Sequence, residues 1–114
     1  MKPIEKELDR LVQQLHINQR CHICGAKATA IHHIVGRSNY VLRYDLPNLL
    51  PVCQQCHSNI HDKGLSVEPY VPAEIWQYLQ ENKNKSYKDF LLFCGMTEDE
   101  YFNECRGALK NASN

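Results

Sequence analysis

The 114-residue sequence lacks long apolar runs, net charge, internal repeats and low-complexity tracts. No apolar stretch approaches the roughly 18 residues that a membrane-spanning helix needs, so we expect no membrane association. The charged start, residues 1–7, has no apolar stretch of the signal-peptide kind, and we therefore expect a cytoplasmic protein. At this length a single domain with a modest core is predicted.

What the sequence does contain is cysteine in a pattern. Two Cys-x-x-Cys pairs lie 28 residues apart: Cys21 with Cys24, and Cys53 with Cys56. In a reducing compartment such pairs are typical of metal ligands or redox motifs rather than disulfides. Four thiolates at these spacings suit a closed tetrahedral site, so a structural Zn²⁺ is predicted. Cys94 and Cys105 lie on apolar faces of predicted helices and are expected to be buried free thiols.

Four of the six histidines lie between or beside these pairs: His32, His33, His57 and His61. Adjacent strand residues point to opposite sides, so His32 and His33 are expected to differ in role, one ligating a metal and one acting as a general base. His57 and His61 share one face of a predicted helix over 54–62, about 100° away from Cys56. These imidazoles predict a second, open metal site. The alternative that they only complete the zinc site or face solvent stays open.

The periodicity of the remaining sequence predicts an α+β protein. Helix 4–17, strands 28–35 and 49–52, a loop over 37–48, a linker over 64–71 and three helices beginning at Pro72, Ser86 and Thr97 are expected. The aromatic residues Trp76, Phe90, Phe93 and Phe102 are predicted to form core or a dimer contact, so a homodimer is one expectation.

The net charge of zero hides an uneven distribution. Residues 20–64 carry five basic and two acidic side chains, whereas residues 65–114 carry five basic and eight acidic ones. The positive charge therefore lies with the metal-ligand cluster, where a phosphate backbone would need it. In the loop, Arg37 and Arg43 alternate with tyrosines and are candidates for contacts to DNA; a solvated loop is the alternative.

Three motifs in order resemble the HNH endonucleases of the ββα-metal fold, in the subgroup braced by a four-cysteine zinc. They are Ile31-His32-His33-Ile34, the segment 46–52, and Cys53-x2-Cys56-His57-x3-His61. The resemblance implies that His33 is the general base, that Asn48 holds the loop and helps to orient this base, and that His57 ligates the metal. His32 stands where many members have Asp. A His-His pair with His61 as a further ligand resembles the bacterial-toxin DNases.

The resemblance implies hydrolysis of DNA phosphodiester bonds with Mg²⁺ or Mn²⁺, and an association with phages or mobile elements. An all-imidazole ligand set favours Ni²⁺ or Zn²⁺ instead. We expect residues 1–64 to form an amino-terminal helix plus the zinc-braced nuclease core, and residues 65–114 a helical extension packed on it. The alternative from another class is a non-catalytic, zinc-stabilised DNA-binding or adaptor module, which would not need His33.

Overall fold

A computed structural model describes residues 1–113 and confirms the α+β class. In chain order its elements are α1 (Pro3–Gln14), β1 (Ala30–His33), β2 (Leu49–Val52), α2 (Gln54–Lys63), α3 (Ala73–Asn82), α4 (Tyr87–Cys94) and α5 (Glu98–Ala112). Short 3-10 helices lie at Leu46–Asn48 and Glu68–Tyr70. Within the described residues, none of the helices combines the length and the apolar character that crossing a bilayer requires.

Local signals explain where the helices begin and end. Glu5 accepts a hydrogen bond from the Lys2 N–H at 2.7 Å and so satisfies an amide at the start of α1. This helix ends three residues earlier than predicted, because the chain turns at 15–18 and Asn18 takes a left-handed φ of 64°. The predicted capping box at the start of α5 is confirmed, with reciprocal hydrogen bonds between Thr97 and Glu100.

The two strands form an antiparallel sheet whose two faces meet different parts of the molecule. His33 pairs with Leu49, and His32 pairs with Leu50. Directly paired residues share a face, and successive residues alternate between faces. Leu49 belongs to the core formed with α1 and α5, whereas Leu50 belongs to the core around the cysteines. The adjacent histidines of β1 therefore lie on opposite faces of the sheet.

The larger core joins the two ends of the chain. It consists of Leu8, Leu11, Val12, Ile31, Tyr44, Leu49, Tyr101, Phe102, Cys105 and Leu109. Cys105 is buried, as predicted, and so is Phe102. These core residues come from both sides of residue 64, where the sequence suggested a division; that division stays a prediction.

Two connecting segments pack more tightly than expected. The segment 64–71 was predicted to be a linker, yet Val67 and Val71 are buried against the cysteine cluster. In the loop between the strands, Val41, Leu42 and Tyr44 are each no more than 5% exposed. Apolar side chains in these stretches lack a helical or strand period, which is why the sequence pattern did not identify them as core.

One prediction about α4 is wrong: Cys94 is exposed rather than buried. Phe93 is 93% exposed and so is not part of the core, which leaves the dimer contact as its predicted role. The helix packs Tyr87, Phe90 and Leu91 on the core, while Phe93 lies on its other side. Cys94 is the last residue of α4.

The contrast between two phenylalanines tests this packing. Replacing Phe102, which is fully buried and packs edge-to-face on Tyr44, by Ala should cost about 3–5 kcal/mol of the free energy of unfolding. The matched change Phe93→Ala should alter it by less than about 0.5 kcal/mol. Denaturant unfolding of the zinc-loaded protein measures both. Equal losses in the two variants would contradict the assigned core.

Candidate functional site

Two backbone turns bring the four cysteines together. The first pair sits in a turn closed by a hydrogen bond from the Gly25 N–H to the Cys21 carbonyl at 2.9 Å, and Gly25 adopts the positive φ of 81° that this turn requires. In the second pair, Cys53 caps the amino terminus of α2 and its Sγ accepts from the Cys56 N–H at 3.4 Å. The His22 N–H bonds the Pro51 carbonyl at 3.0 Å and ties the first turn to β2.

The four thiols fit a tetrahedral zinc site. Their Sγ atoms all lie within 4.8 Å of one another, and Cys24 and Cys53 are 3.6 Å apart. Zn–S bonds of about 2.3 Å give a tetrahedral edge of about 3.8 Å, close to that separation. Four protein donors complete a tetrahedral coordination shell, so a Zn²⁺ held here would be structural.

Two of these thiols, Cys21 and Cys56, differ in how readily they lose the proton that a metal must displace. Burial opposes ionisation of Cys21, but backbone N–H groups, including those of Cys24 and Ile23, lower its pKa to about 6. Burial raises the pKa of the Cys56 thiol. Zn²⁺ would displace the remaining protons, and the affinity of the site for zinc should therefore fall as the pH falls.

A second cluster of possible ligands lies on the α2 side of the sheet. His32 projects from β1 towards His57 and His61 on α2, with ring centroids 5.5 Å from each. The Nε2 atoms of His57 and His61 are 3.1 Å apart. Metal–nitrogen bonds of about 2.0–2.1 Å place neighbouring ligand nitrogens about 2.9–3.4 Å apart, so one ion fits both rings. The exposed position of His61 leaves this cluster open to solvent.

The electrostatics of the cluster favour neutral rings at His32 and His57. Burial and the neighbouring rings of His57 and His61 lower the pKa of His32 to about 4. Burial, with His61 beside it, also lowers the pKa of His57. A neutral ring offers its nitrogen lone pair to a metal, so these two rings are ready to ligate a divalent cation at neutral pH.

His33 lies on the other face of β1, apart from this cluster. Its Nε2 is 3.1 Å from the backbone carbonyl oxygen of Arg43. A carbonyl oxygen can only accept, so Nε2 of His33 carries the proton and donates it. In the neutral ring Nδ1 then holds a free lone pair. Burial lowers the pKa of His33, outweighing the opposing effect of its bond to Arg43, so the neutral form is favoured.

Asn48 is fully buried and bonds the loop on both sides. Its Oδ1 accepts from the Val35 N–H at 2.7 Å, and its Nδ2 donates to the carbonyls of Val35 at 3.0 Å and Leu42 at 3.1 Å. These bonds join the end of β1 to the loop that supplies the Arg43 carbonyl. The side chain of Asn48 thus holds the loop. The backbone carbonyl of Arg43, in that loop, accepts the hydrogen bond from the ring of His33.

Comparison with known proteins shows what the segment holding these ligands is similar to. Residues 19–63, which hold both ligand clusters, match the HNH endonuclease family. This segment is similar to HNH domains. A mitochondrial DNA mismatch repair protein mutS homolog from Sarcophyton glaucum is 33% identical over 78 residues, covering 60% of this chain and 8% of that relative. No solved structure matches. The HNH match indicates nuclease or nucleic-acid-binding activity.

The two arginines predicted to contact DNA occupy different environments. The Arg37 side chain is 59% exposed and donates to Asp9 at 3.3 Å. The Arg43 side chain is only 7% exposed, and its Nε and both Nη atoms donate to Asp9 or to the Arg37 carbonyl. A guanidinium so enclosed has no free edge for a phosphate. We therefore correct the expectation for Arg43 to a structural role and keep Arg37 as a candidate.

Two residues of α1 near the site had no sequence signal. Asp9 binds the Arg43 guanidinium, and Gln13 bonds both the N–H of Ile31 at 3.1 Å and its carbonyl at 3.4 Å. Gln13 therefore completes the hydrogen bonding of β1 at its open edge. Both are polar residues on an amphipathic helix, where solvent exposure is the usual outcome, and both lie outside the matched segment.

Loss of one zinc ligand should unfold the domain. In Cys53→Ala, three thiolates cannot complete the tetrahedral site, and a protein of this size depends on the free energy of metal binding. Circular dichroism should show loss of the helical signal, and zinc analysis should show loss of the structural ion. The control Cys94→Ala removes an exposed thiol outside the cluster and should leave both unchanged. A folded, zinc-loaded Cys53→Ala protein would contradict the structural role.

The histidine cluster should bind a second divalent ion independently of the cysteines. Titration with Co²⁺ should give two equivalents for the wild type, and one for His57→Ala, which keeps the thiolate-to-cobalt absorption and the helical signal. His22→Ala, which removes an exposed histidine outside the cluster, should still bind two. A wild type that saturates at one equivalent would show that the imidazoles do not form a separate site.

Proposed function

We propose that this protein is a metal-dependent endonuclease that hydrolyses DNA phosphodiester bonds. The observation that supports it most is that two adjacent histidines face different surroundings. His32 faces His57 and His61, while His33 faces a backbone carbonyl on the other side of the strand. A zinc-stabilised scaffold alone would not need this second cluster, nor a separate histidine whose ring is oriented by a backbone bond.

In this proposal His33 is the general base. Its Nε2–H is committed to the Arg43 carbonyl, so Nδ1 is the atom that takes a proton from the attacking water. The hydrogen bond fixes the tautomer and also the orientation of the ring. Asn48 acts one step away, because it holds the loop from which that carbonyl comes.

His32, His57 and His61 would hold the catalytic divalent ion. Bound there, the ion supplies Lewis-acid stabilisation of the negative charge that develops on the phosphate and the leaving oxygen. Three imidazole ligands favour Ni²⁺ or Zn²⁺ over Mg²⁺, whereas the family resemblance implies Mg²⁺ or Mn²⁺. We propose that the three imidazoles determine which ion binds, and that Ni²⁺ and Zn²⁺ bind more tightly than Mg²⁺ and Mn²⁺.

DNA is the substrate we propose. The family match supports it, and the relative from Sarcophyton glaucum is by its printed name a DNA mismatch repair protein. Arg37, exposed and on the loop next to β1, is the candidate phosphate contact. The cytoplasmic location and the homodimer stay predictions from the sequence.

Plasmid nicking by His33→Ala tests the proposal. With Mn²⁺, Ni²⁺ or Zn²⁺ added to zinc-loaded protein, the wild type should convert supercoiled to nicked DNA, and His33→Ala should be slower by about 100-fold or more. The control His22→Ala should cut at the wild-type rate. Undiminished cutting by His33→Ala would rule out the assigned base. A wild type that binds DNA but cuts with none of these ions, nor with Mg²⁺, would favour the non-catalytic binding module.

A further inference from the structure

We infer that the ion pair between Asp9 and Arg43 positions the general base, so that α1 is a working part of the nuclease. This inference rests on the proposed function, because it assigns Asp9 and Arg43 to the orientation of His33. Asp9 lies outside residues 19–63, the segment that matches the HNH family. Both are positioning residues: neither touches the metal ligands, and each acts through the backbone carbonyl that holds the imidazole.

The ion pair between Asp9 and Arg43 contains several hydrogen bonds. Arg43 donates from Nε to Asp9 Oδ1 at 3.2 Å, and from Nη2 to Oδ1 at 3.0 Å and Oδ2 at 2.8 Å. Such a fork fixes the plane of the guanidinium as well as its distance, which a single point contact does not. Nη1 donates to the Arg37 carbonyl at 3.0 Å, so the remaining edge is also held.

The guanidinium of Arg43 is largely enclosed by other side chains. It lies over the rings of Tyr40 and Tyr44, with centroid distances of 5.3 and 5.5 Å. The Arg43 side chain is 7% exposed and Asp9 is 22% exposed, so solvent competes little for their bonds. Because the guanidinium and the aliphatic part of the Arg43 side chain are both enclosed, the backbone of Arg43 has little freedom to move.

These side-chain contacts restrict the backbone at Arg43. Arg43 belongs to a turn without strand pairing, so side chains replace a sheet in holding it. The Arg43 N–H bonds the Asn39 carbonyl at 2.8 Å, and Asn48 bonds the Leu42 carbonyl, which fixes the turn up to that residue. The Arg43 carbonyl itself is then free to accept from His33, and the ion pair to α1 fixes its direction.

The competing explanation is that Asp9 only attaches α1 to the core. A second ion pair on the same helix separates the two explanations, because Glu7 accepts from Arg106 of α5 at 3.0 Å. That pair also holds α1, but it joins the helix to α5 instead of to the loop that carries Arg43. A purely structural role predicts similar effects from the loss of either pair. A positioning role predicts that only the pair with Asp9 affects His33.

The experiment compares Asp9→Asn and Arg43→Lys with the control Glu7→Gln, after circular dichroism and zinc analysis show each to be folded and loaded. In the first two, kcat for plasmid nicking should fall by about 10- to 100-fold with KM within about twofold of the wild type. Glu7→Gln should keep the wild-type kcat. A variant that does not fold is replaced by Asp9→Glu, which keeps the charge but shifts the carboxylate. Unchanged kcat in folded Asp9→Asn and Arg43→Lys, or an equal fall in Glu7→Gln, would overturn the inference.

A second readout is independent of cleavage. In protein labelled with ¹⁵N at histidine, the nitrogen shifts of His33 should report the Nε2–H tautomer in the wild type and in Glu7→Gln, and a mixture of tautomers in Asp9→Asn. An identical tautomer in wild type and Asp9→Asn would overturn the inference. If the wild type cuts no DNA, the proposed function fails while this measurement still decides whether Asp9 positions the ring.

Discussion

The alternation of side chains along β1 is the constraint on which the whole site depends. In a strand, neighbouring residues must point to opposite faces, so a His-His pair delivers two imidazoles to two different environments without any further device. On one face His32 meets the histidines of α2, and on the other His33 meets the Arg43 carbonyl. A register shift of one residue would exchange the two rings and abolish both arrangements at once.

A two-stranded sheet is too small to enforce that register alone. The cysteine cluster fixes the far end of the hairpin, because it joins the turn at residues 21–25 to the start of α2 directly after β2. Gln13 satisfies the open edge of β1, and Asn48 joins the end of the strand to the loop. The cysteine cluster, the helix and the loop thus each supply part of the order that additional strands provide in a larger sheet. Stability and chemistry share the same few elements.

The part of this structure that sequence predicts well is the part encoded by short spacings. Cys-x-x-Cys turns, the i, i+4 histidines on α2 and the capping box of α5 each depend on neighbours within four residues, and the structure places them as expected. Asp9 and Arg43 were missed or misassigned for a common reason. Their environments are set by contacts between distant segments, such as α1 against a loop 34 residues away, which no local pattern reports.

The most direct test of two separate metal sites is a crystal structure of the zinc-loaded protein grown with added Mn²⁺ or Ni²⁺, with anomalous data at the edge of each metal. The account predicts one zinc peak among the four sulfurs and a second peak bounded by His32, His57 and His61, with His33 unligated and its ring bonded to the Arg43 carbonyl. A single peak at the cysteines, or a second ion ligated by His33, would contradict it.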